Sequence, residues 1–168
     1  MDIRSKRIPL DESRLATFRP ATADDEPLLL AVYGSTRMEE LALTNWDQAQ
    51  RDAFVKMQFD AQHSHYREHY PEGEHLIILV NDDPVGRLYV ASIAEEIRIL
   101  DITVLPDHRR AGIGASIIKE LMAEAEATEK PLRIYVESFN PSRQLFERLG
   151  FVKSGESGYS YLIEWRVS

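Results

Sequence analysis

The sequence contains no cysteine among its 168 residues. That absence excludes disulfide bonds, metal sites built on thiolates and a covalent acyl-cysteine intermediate. No apolar run approaches the roughly 20 residues that a membrane-spanning helix needs, and the N-terminus has no hydrophobic core typical of a signal peptide. We therefore expect a cytoplasmic protein with no membrane partner.

Basic residues are scarce relative to acidic ones. The chain has 20 Lys and Arg against 28 Asp and Glu, a formal net charge of −8, whereas nucleic-acid-binding domains are usually basic. We therefore expect no nucleic-acid partner. Residues 1–14 are charged and aperiodic, which predicts a flexible N-terminal arm. The length then predicts a single domain over residues 15–168.

The most informative stretch combines a strand, a glycine-containing loop and a long helix. Residues 97–104 are rich in β-branched side chains and are followed by Pro106, which predicts a strand. An apolar stripe at helical spacing follows, which predicts an amphipathic helix. Its residues are Ile113, Ile117, Ile118, Leu121, Met122 and Ala125. The loop between them reads Arg109-Arg110-Ala111-Gly112-Ile113-Gly114.

This loop has the features of a phosphate site. A helix N-terminus carries unpaired backbone N–H groups and the positive end of the macrodipole. Gly112 and Gly114 let an anion approach that backbone, and Arg109 and Arg110 add donors suited to phosphate. The pattern predicts a phosphate or pyrophosphate site; the alternative is an ordinary turn with solvated arginines.

The strand carries a second signal, a change in its alternation. Ile97 and Ile99 share one face, but the apolar residues then shift to Leu100, Ile102 and Val104. Such a shift is typical of a β-bulge, although a strand buried on both faces gives a similar pattern. A bulge would separate this strand from a neighbour and free its backbone to pair with a ligand.

The motif R-x-x-G-x-G between a bulged strand and a helix resembles the acetyl-CoA site of the GNAT N-acetyltransferase superfamily. Residues 140–151 are similar to that family's second motif, a helix that ends in Leu-Gly-Phe. The resemblance covers residue 95 to the C-terminus. It implies an α/β (α+β) fold with one GNAT-like domain, in the order β-α-α-β-β-β-α-β-α-β-β. The mixed, mostly antiparallel central sheet would have about seven strands, with helices on both faces.

The resemblance implies acetyl-CoA as co-substrate and no metal. Its pyrophosphate would lie on the loop, and its pantetheine arm would pair with the bulged strand. Asn140 would contact the cofactor or a water, although a helix N-cap explains it equally well, and Phe146 also falls at a cofactor position. The implied contacts are Ile102, Thr103, Val104, Arg109, Arg110, Ala111, Gly112, Ile113, Gly114, Ala115, Asn140 and Phe146.

The implied activity moves an acetyl group to a primary amine of a small molecule or peptide by direct attack in a ternary complex. Because an alkylamine has a pKa of ~10, a base must remove its proton. The candidates are Glu95, Glu96, Asp101 and Glu137, of which we favour Glu96. The alternative for each is a solvated carboxylate. The family resemblance also implies a homodimer as a candidate assembly.

Phe146 departs from the family pattern. Many members have a tyrosine there that protonates the leaving thiolate. Phenylalanine cannot, which raises the alternative of a catalytically silent acyl-CoA-binding module. A thiol of pKa ~8.5 can also leave unaided, and Tyr135, Tyr159 and Tyr161 are candidate replacements.

Two further patterns are weaker. Gly112-Ile113-Gly114 imitates the dinucleotide-binding fingerprint of an oxidoreductase, but Ile117 stands where the third glycine belongs. His65 and His69 have a spacing seen in metal sites, but the H-E-x-x-H pattern is absent. An exposed helix face explains the two histidines better, so we expect no metal.

Overall fold

A computed structural model describes residues 2–109 and 111–167. Its strands form one sheet in the order β1-β2-β3-β4-β5-β6-β8-β7. The strands are β1 (Ile8–Pro9), β2 (Leu15–Pro20), β3 (Glu74–Val80), β4 (Asp83–Ser92), β5 (Ile97–Val104), β6 (Leu132–Glu137), β7 (Val152–Ser157) and β8 (Ser160–Trp165). The α-helices are α1 (Glu26–Ser35), α2 (Met38–Ala42), α3 (Gln48–His69), α4 (Ile113–Thr128) and α5 (Ser142–Arg148).

Neighbouring strands pair antiparallel, except for β5 and β6, which pair in parallel. The mixed, mostly antiparallel sheet is therefore confirmed. The oxidoreductase alternative requires a doubly wound parallel sheet, which these strands do not form.

The sheet has eight strands rather than about seven, because the N-terminal segment adds one. Ile8 pairs with Ala16 of β2. Ile3 and Ile8 are only 4% and 3% exposed. Residues 2–14 thus lie against the sheet instead of extending from it, because these two apolar side chains in a charged segment reach the core.

Helices cover both faces of the sheet, as predicted. Apolar side chains of α4 and α5 pack on one face, and those of α1, α2 and α3 pack with Ile77 on the other. The short helix α2 is an additional helix that the predicted element order does not include. No helix in the part of the chain that the structure describes is long and apolar enough to cross a membrane.

Local signals fix where several elements begin and end. Asp47 and Gln50 form a reciprocal capping box at the start of α3. The Asn140 side chain accepts a hydrogen bond from the backbone N–H of Ser142 at 2.9 Å. Gly150, after α5, has a φ of 99°, a conformation that glycine adopts readily.

Candidate active site

A gap opens in the middle of the sheet, between β5 and β6. Asp101 pairs with Tyr89 and Ile99 pairs with Val90, so Leu100 is an extra residue in β5. This is the bulge that the change in alternation predicts. Among the described residues, β5 and β6 pair only from Ile97 to Ile99. Beyond the bulge, β5 therefore presents a backbone edge without a partner strand.

The gap is a cleft of about 350 Å³. Side chains from α1 and α3 line one side of the sheet, and side chains from α4 and α5 line the other. Several predicted site residues meet here from distant parts of the sequence. The cleft contains Asp101, Ile102, Thr103, Val104, Gly114, Glu137, Asn140 and Phe146, together with Tyr33, Arg37, Gln62, Tyr66 and Tyr135.

The backbone of β5 faces this cleft at alternate residues. The Leu100 carbonyl accepts a hydrogen bond from the Tyr66 hydroxyl at 2.8 Å. The Val104 carbonyl accepts one from Arg109 Nε at 2.9 Å. Because a strand alternates with a period of two, the N–H and C=O of Ile102 face the same side. An extended ligand can pair with them as an added strand.

The N-terminus of α4 adjoins the end of this strand. Gly112 has a φ of +77°, and among the described residues no atom beyond the chain neighbours lies within 4 Å of where a Cβ of Gly112 or Gly114 would stand. The described residues therefore leave the first amides of a 16-residue helix open to an anion. A pyrophosphate fits the chemistry of this cradle, in which Ile113 and Ala115 also lie.

Arginines tie the loop before α4 to other parts of the molecule. Arg109 is exposed, and its Nη2 donates to Ser35 Oγ at 3.1 Å. Arg14 donates to the Ala111 carbonyl at 3.2 Å, which ties the loop to the N-terminal segment. Arg110, also a predicted cofactor contact, lies outside the described residues.

Asp101 projects into the cleft with both carboxylate oxygens held. Oδ2 lies 3.1 Å from Arg87 Nη1. Oδ1 accepts a hydrogen bond from Thr103 Oγ1 at 2.9 Å. The Asp101 side chain is 22% exposed, whereas the Arg87 side chain is fully buried. The carboxylate therefore has a fixed orientation and an accessible face.

Glu137 stands at the end of β6 and belongs to an ion pair that crosses the cleft. Its Oε1 accepts a hydrogen bond from Arg37 Nη1 at 3.2 Å. The same nitrogen lies 3.0 Å from Glu40 Oε1, and Arg37 Nε lies 3.3 Å from the Tyr33 hydroxyl. The link between α1 and α2 is thereby joined to β6.

Glu96, the favoured base, lies elsewhere. It precedes β5 and is 7% exposed. One carboxylate oxygen pairs with Arg98 Nε, and the other accepts a hydrogen bond from Arg133 Nη1 at 3.0 Å. Residues 97–100 lie between it and Asp101, which is five steps of about 3.3 Å, or roughly 16 Å, along the chain. Its carboxylate is occupied by two arginines and is not among the described residues that line the cleft.

Phe146 reaches the wall of the cleft but belongs mainly to the core. It is 2% exposed, and its ring packs edge-to-face on Phe151 with centroids 5.1 Å apart. Of the tyrosines proposed to replace the family acid, Tyr135 lines the cleft. Tyr159 is 84% exposed in the turn between β7 and β8, and Tyr161 lies beneath the cations of Arg143 and Lys153.

Three residues of the cleft region are missed by the sequence reasoning. Tyr66 and Arg37 reach the cleft from the N-terminal half, for which no motif is recognisable. Arg87 has a local signal, because a charged residue between Val85 and Leu88 in an apolar strand is expected to be buried with a partner. The partner itself lies on another strand and needs the register to be found.

His65 and His69 are neighbours on α3 but do not form a metal site with the described residues around them. The rings of His65 and His69 lie 4.1 Å apart, and His69 Nδ1 lies 3.0 Å from the His65 carbonyl oxygen. Within residues 2–109 and 111–167, no group of three or more potential ligands is arranged to hold a metal ion.

The sequence matches the model of one protein family, described as the acetyltransferase (GNAT) family, over residues 37–151. This range includes the loop before α4, both strands that flank the cleft, and α5. A comparison with curated proteins finds no match.

Solved structures share the fold at low sequence identity. A PaiA N-acetyltransferase from Thermoplasma acidophilum, in complex with coenzyme A, is 14% identical with a TM-score of 0.67; 90% of this chain and 99% of that chain are covered. An acetyltransferase from Thermus thermophilus is 19% identical with a TM-score of 0.62, covering 90% and 97%. One from Streptococcus agalactiae is 14% identical with a TM-score of 0.63, covering 94% and 100%.

Proposed function

This chain belongs to the GNAT acetyltransferase family, and we propose that it is an acetyl-CoA-dependent N-acetyltransferase acting on a primary amine by direct attack in a ternary complex. The observation that best supports this is the gap between β5 and β6, whose free backbone edge leads to the open N-terminus of α4. A neighbour of the same fold binds coenzyme A.

The residues around the gap divide into a cofactor side and an acceptor side. Gly112, Gly114 and the first amides of α4 would hold the pyrophosphate, and the backbone of Ile102 to Val104 would hold the pantetheine. Acetyl-CoA supplies a thioester, whose carbonyl carbon bonds to the amine nitrogen as its bond to sulfur breaks. The Ile102 N–H is our candidate donor to the carbonyl oxygen as negative charge develops there.

On the acceptor side we propose Asp101 as the carboxylate that binds the ammonium and accepts its proton, directly or through a water. Its two oxygens are oriented by Arg87 and Thr103, and it stands at the bulge beside the thioester position. Glu137 is the second candidate, because it lines the same cleft. Glu96 is no longer favoured, since two arginines occupy it.

A catalytically silent acyl-CoA-binding module is the second candidate function. Phe146 favours it, because a buried ring packed on Phe151 offers no proton to a leaving thiolate. The N-acetyltransferase proposal requires instead that the thiolate leaves without an acid, which a thiol of pKa ~8.5 permits.

The test of the cofactor site is Gly112→Glu, with Gly158→Glu as its matched control. Both glycines have a positive φ (77° and 59°). At either position, a Cβ would have no described atom within 4 Å other than those of its chain neighbours. The two changes therefore share the same backbone strain and the same added charge. Only the first places a carboxylate where we propose pyrophosphate.

The measurement is thermal unfolding with and without acetyl-CoA, with NAD as a second ligand. At 100 times its Kd, acetyl-CoA should stabilise the wild type and Gly158→Glu by ~2.7 kcal/mol, and Gly112→Glu should lose this gain. Equal stabilisation of both variants, or stabilisation by NAD alone, would contradict the assignment.

A further inference from the structure

Behind Asp101 lies a buried arginine that the proposed chemistry does not use directly. Arg87 is 0% exposed and stands on β4, opposite β5. Its Nη1 donates to Asp101 Oδ2 at 3.1 Å and to Gln62 Oε1 at 2.9 Å. Its Nε donates to His75 Nε2 at 2.9 Å. Three side chains from three other elements thus fix the direction in which the guanidinium meets Asp101.

Aromatic rings surround the same guanidinium. Its Cζ lies 5.1 Å from the ring centroid of Phe59, 5.6 Å from that of Tyr89 and 6.0 Å from that of Tyr66. Aromatic faces attract a cation when water is excluded. The His75 ring stacks on Tyr89 at 4.6 Å, which holds the accepting nitrogen in place.

Burying a cation is costly, and Arg87 Nη2 has no hydrogen-bond partner within the described residues. Of the partners that Arg87 does have, Asp101 is the one carboxylate within salt-bridge distance in the described structure. We propose that Arg87 is a positioning residue, which holds the Asp101 carboxylate in place and directed at the acceptor amine. This inference rests on the proposed function, since it gives Asp101 an amine to bind.

Titratable side chains surround the pair. Burial and the charge of Arg87 lower the pKa of His63 and, to about 3, that of His75. Burial raises the pKa of Tyr66 and of Tyr89. Neutral His75 can therefore accept the hydrogen bond that Arg87 Nε donates. The groups around Asp101 and Arg87 are His63 and Tyr66 on α3, His75 on β3, Tyr89 on β4, Tyr33 on α1, and Glu137 on β6 with its partner Arg37.

The first experiment compares Arg87→Met with Arg133→Met. Arg133 also pairs with a buried carboxylate, Glu96, but neither residue lines the cleft. The readout is kcat/KM for thiol release with n-butylamine, glycine and 1,4-diaminobutane as probes, beside the KM for acetyl-CoA. Because Arg87 would act only through Asp101, Arg87→Met should lower kcat/KM for the amines by about 10-fold or more and leave the KM for acetyl-CoA unchanged. Arg133→Met should change neither.

The second experiment is a double-mutant cycle, which also serves if Arg87→Met does not fold. Arg87→Lys keeps the charge but not the forked geometry. It should lower kcat/KM by about 10-fold in the wild type and by less than about 2-fold in Asp101→Asn, because contacting residues are not additive.

The outcomes separate this inference from the proposed function. An unchanged kcat/KM for the amines in folded Arg87→Met, or equal losses from Arg87→Lys in both backgrounds, would overturn the role of Arg87 while turnover continued. A wild type that binds acetyl-CoA but releases no thiol with any probe would overturn the proposed function and this inference with it.

Discussion

The carboxylates that the sequence offers as bases occupy different surroundings. Asp101 and Glu137 line the cleft, whereas Glu96 is enclosed by Arg98 and Arg133 and Glu95 is exposed. Residue type does not distinguish them. The difference comes from where the sheet opens, because β5 and β6 separate beside Asp101 and Glu137 but stay paired near Glu96.

Glu96→Gln should therefore lower the free energy of unfolding. It removes the charge that two partly buried guanidinium groups share, a loss expected to cost about 3 kcal/mol. Glu95→Gln is the control, because this adjacent residue is exposed and its substitution should change stability by less than about 0.5 kcal/mol. Urea unfolding of the two variants measures both. Equal effects would contradict the structural role of Glu96.

At the scale of elements, the central feature is the bulged strand β5. The extra residue Leu100 lets the strand pair with β4 on both sides of the bulge while its other edge leaves β6. This leaves the backbone of Ile102 free for the binding role that we propose, although its side chain is only a partly buried apolar one.

Ile102→Pro and Ile102→Ala separate the backbone from the side chain. Both remove the isoleucine, but only proline removes the N–H that we propose to face the thioester carbonyl. Loss of one such donor typically costs about 10²–10³ in kcat, so Ile102→Pro should be slower than Ile102→Ala by that factor. Thiol release by the two folded variants measures it, and equal kcat values would remove this N–H from the mechanism.

Elements with local signals are those that the sequence predicts well. The alternation of β5 predicts its bulge, and the helical spacing of the apolar residues from Ile113 onwards predicts α4. Tyr66 and Arg87 could not be placed in this way. Tyr66 meets Leu100 across 34 residues of sequence and Arg87 meets Asp101 across 14, so their contacts depend on packing and strand register. The short β1 is also missed. Its segment is charged and aperiodic, and the burial of Ile3 and Ile8 depends on packing against the sheet.

At the scale of the whole molecule, the acceptor side depends on helices packed over the sheet. His75, a partly buried residue of β3 beside His63 of α3, couples this packing to pH. The folded-state pKa of His75, lowered by burial to about 3, lies below its ordinary value of 6.5. As the pH falls below 6.5, the unfolded chain therefore takes up a proton that the folded chain does not.

Folding stability should accordingly fall as the pH drops from about 6.5 towards 3. One such histidine contributes up to ~1.4 kcal/mol per pH unit. His75→Gln keeps an acceptor for Arg87 and should flatten the slope by about that amount between pH 6 and pH 4.5, as measured by urea unfolding. His65→Gln, on an exposed part of α3, is the control. Parallel slopes for wild type and His75→Gln would contradict the linkage.

N-acetyltransferase activity is tested by thiol release from acetyl-CoA with the three amine probes, alongside mass spectrometry of the amine. We expect at least one probe to be converted to its acetylated product, with one thiol released for each acetyl group transferred. We also expect Asp101→Asn to lose about 10²–10⁴-fold of this rate and still to bind acetyl-CoA. Acetyl-CoA binding with no thiol release above the rate without enzyme would contradict the account and favour a silent acyl-CoA-binding module.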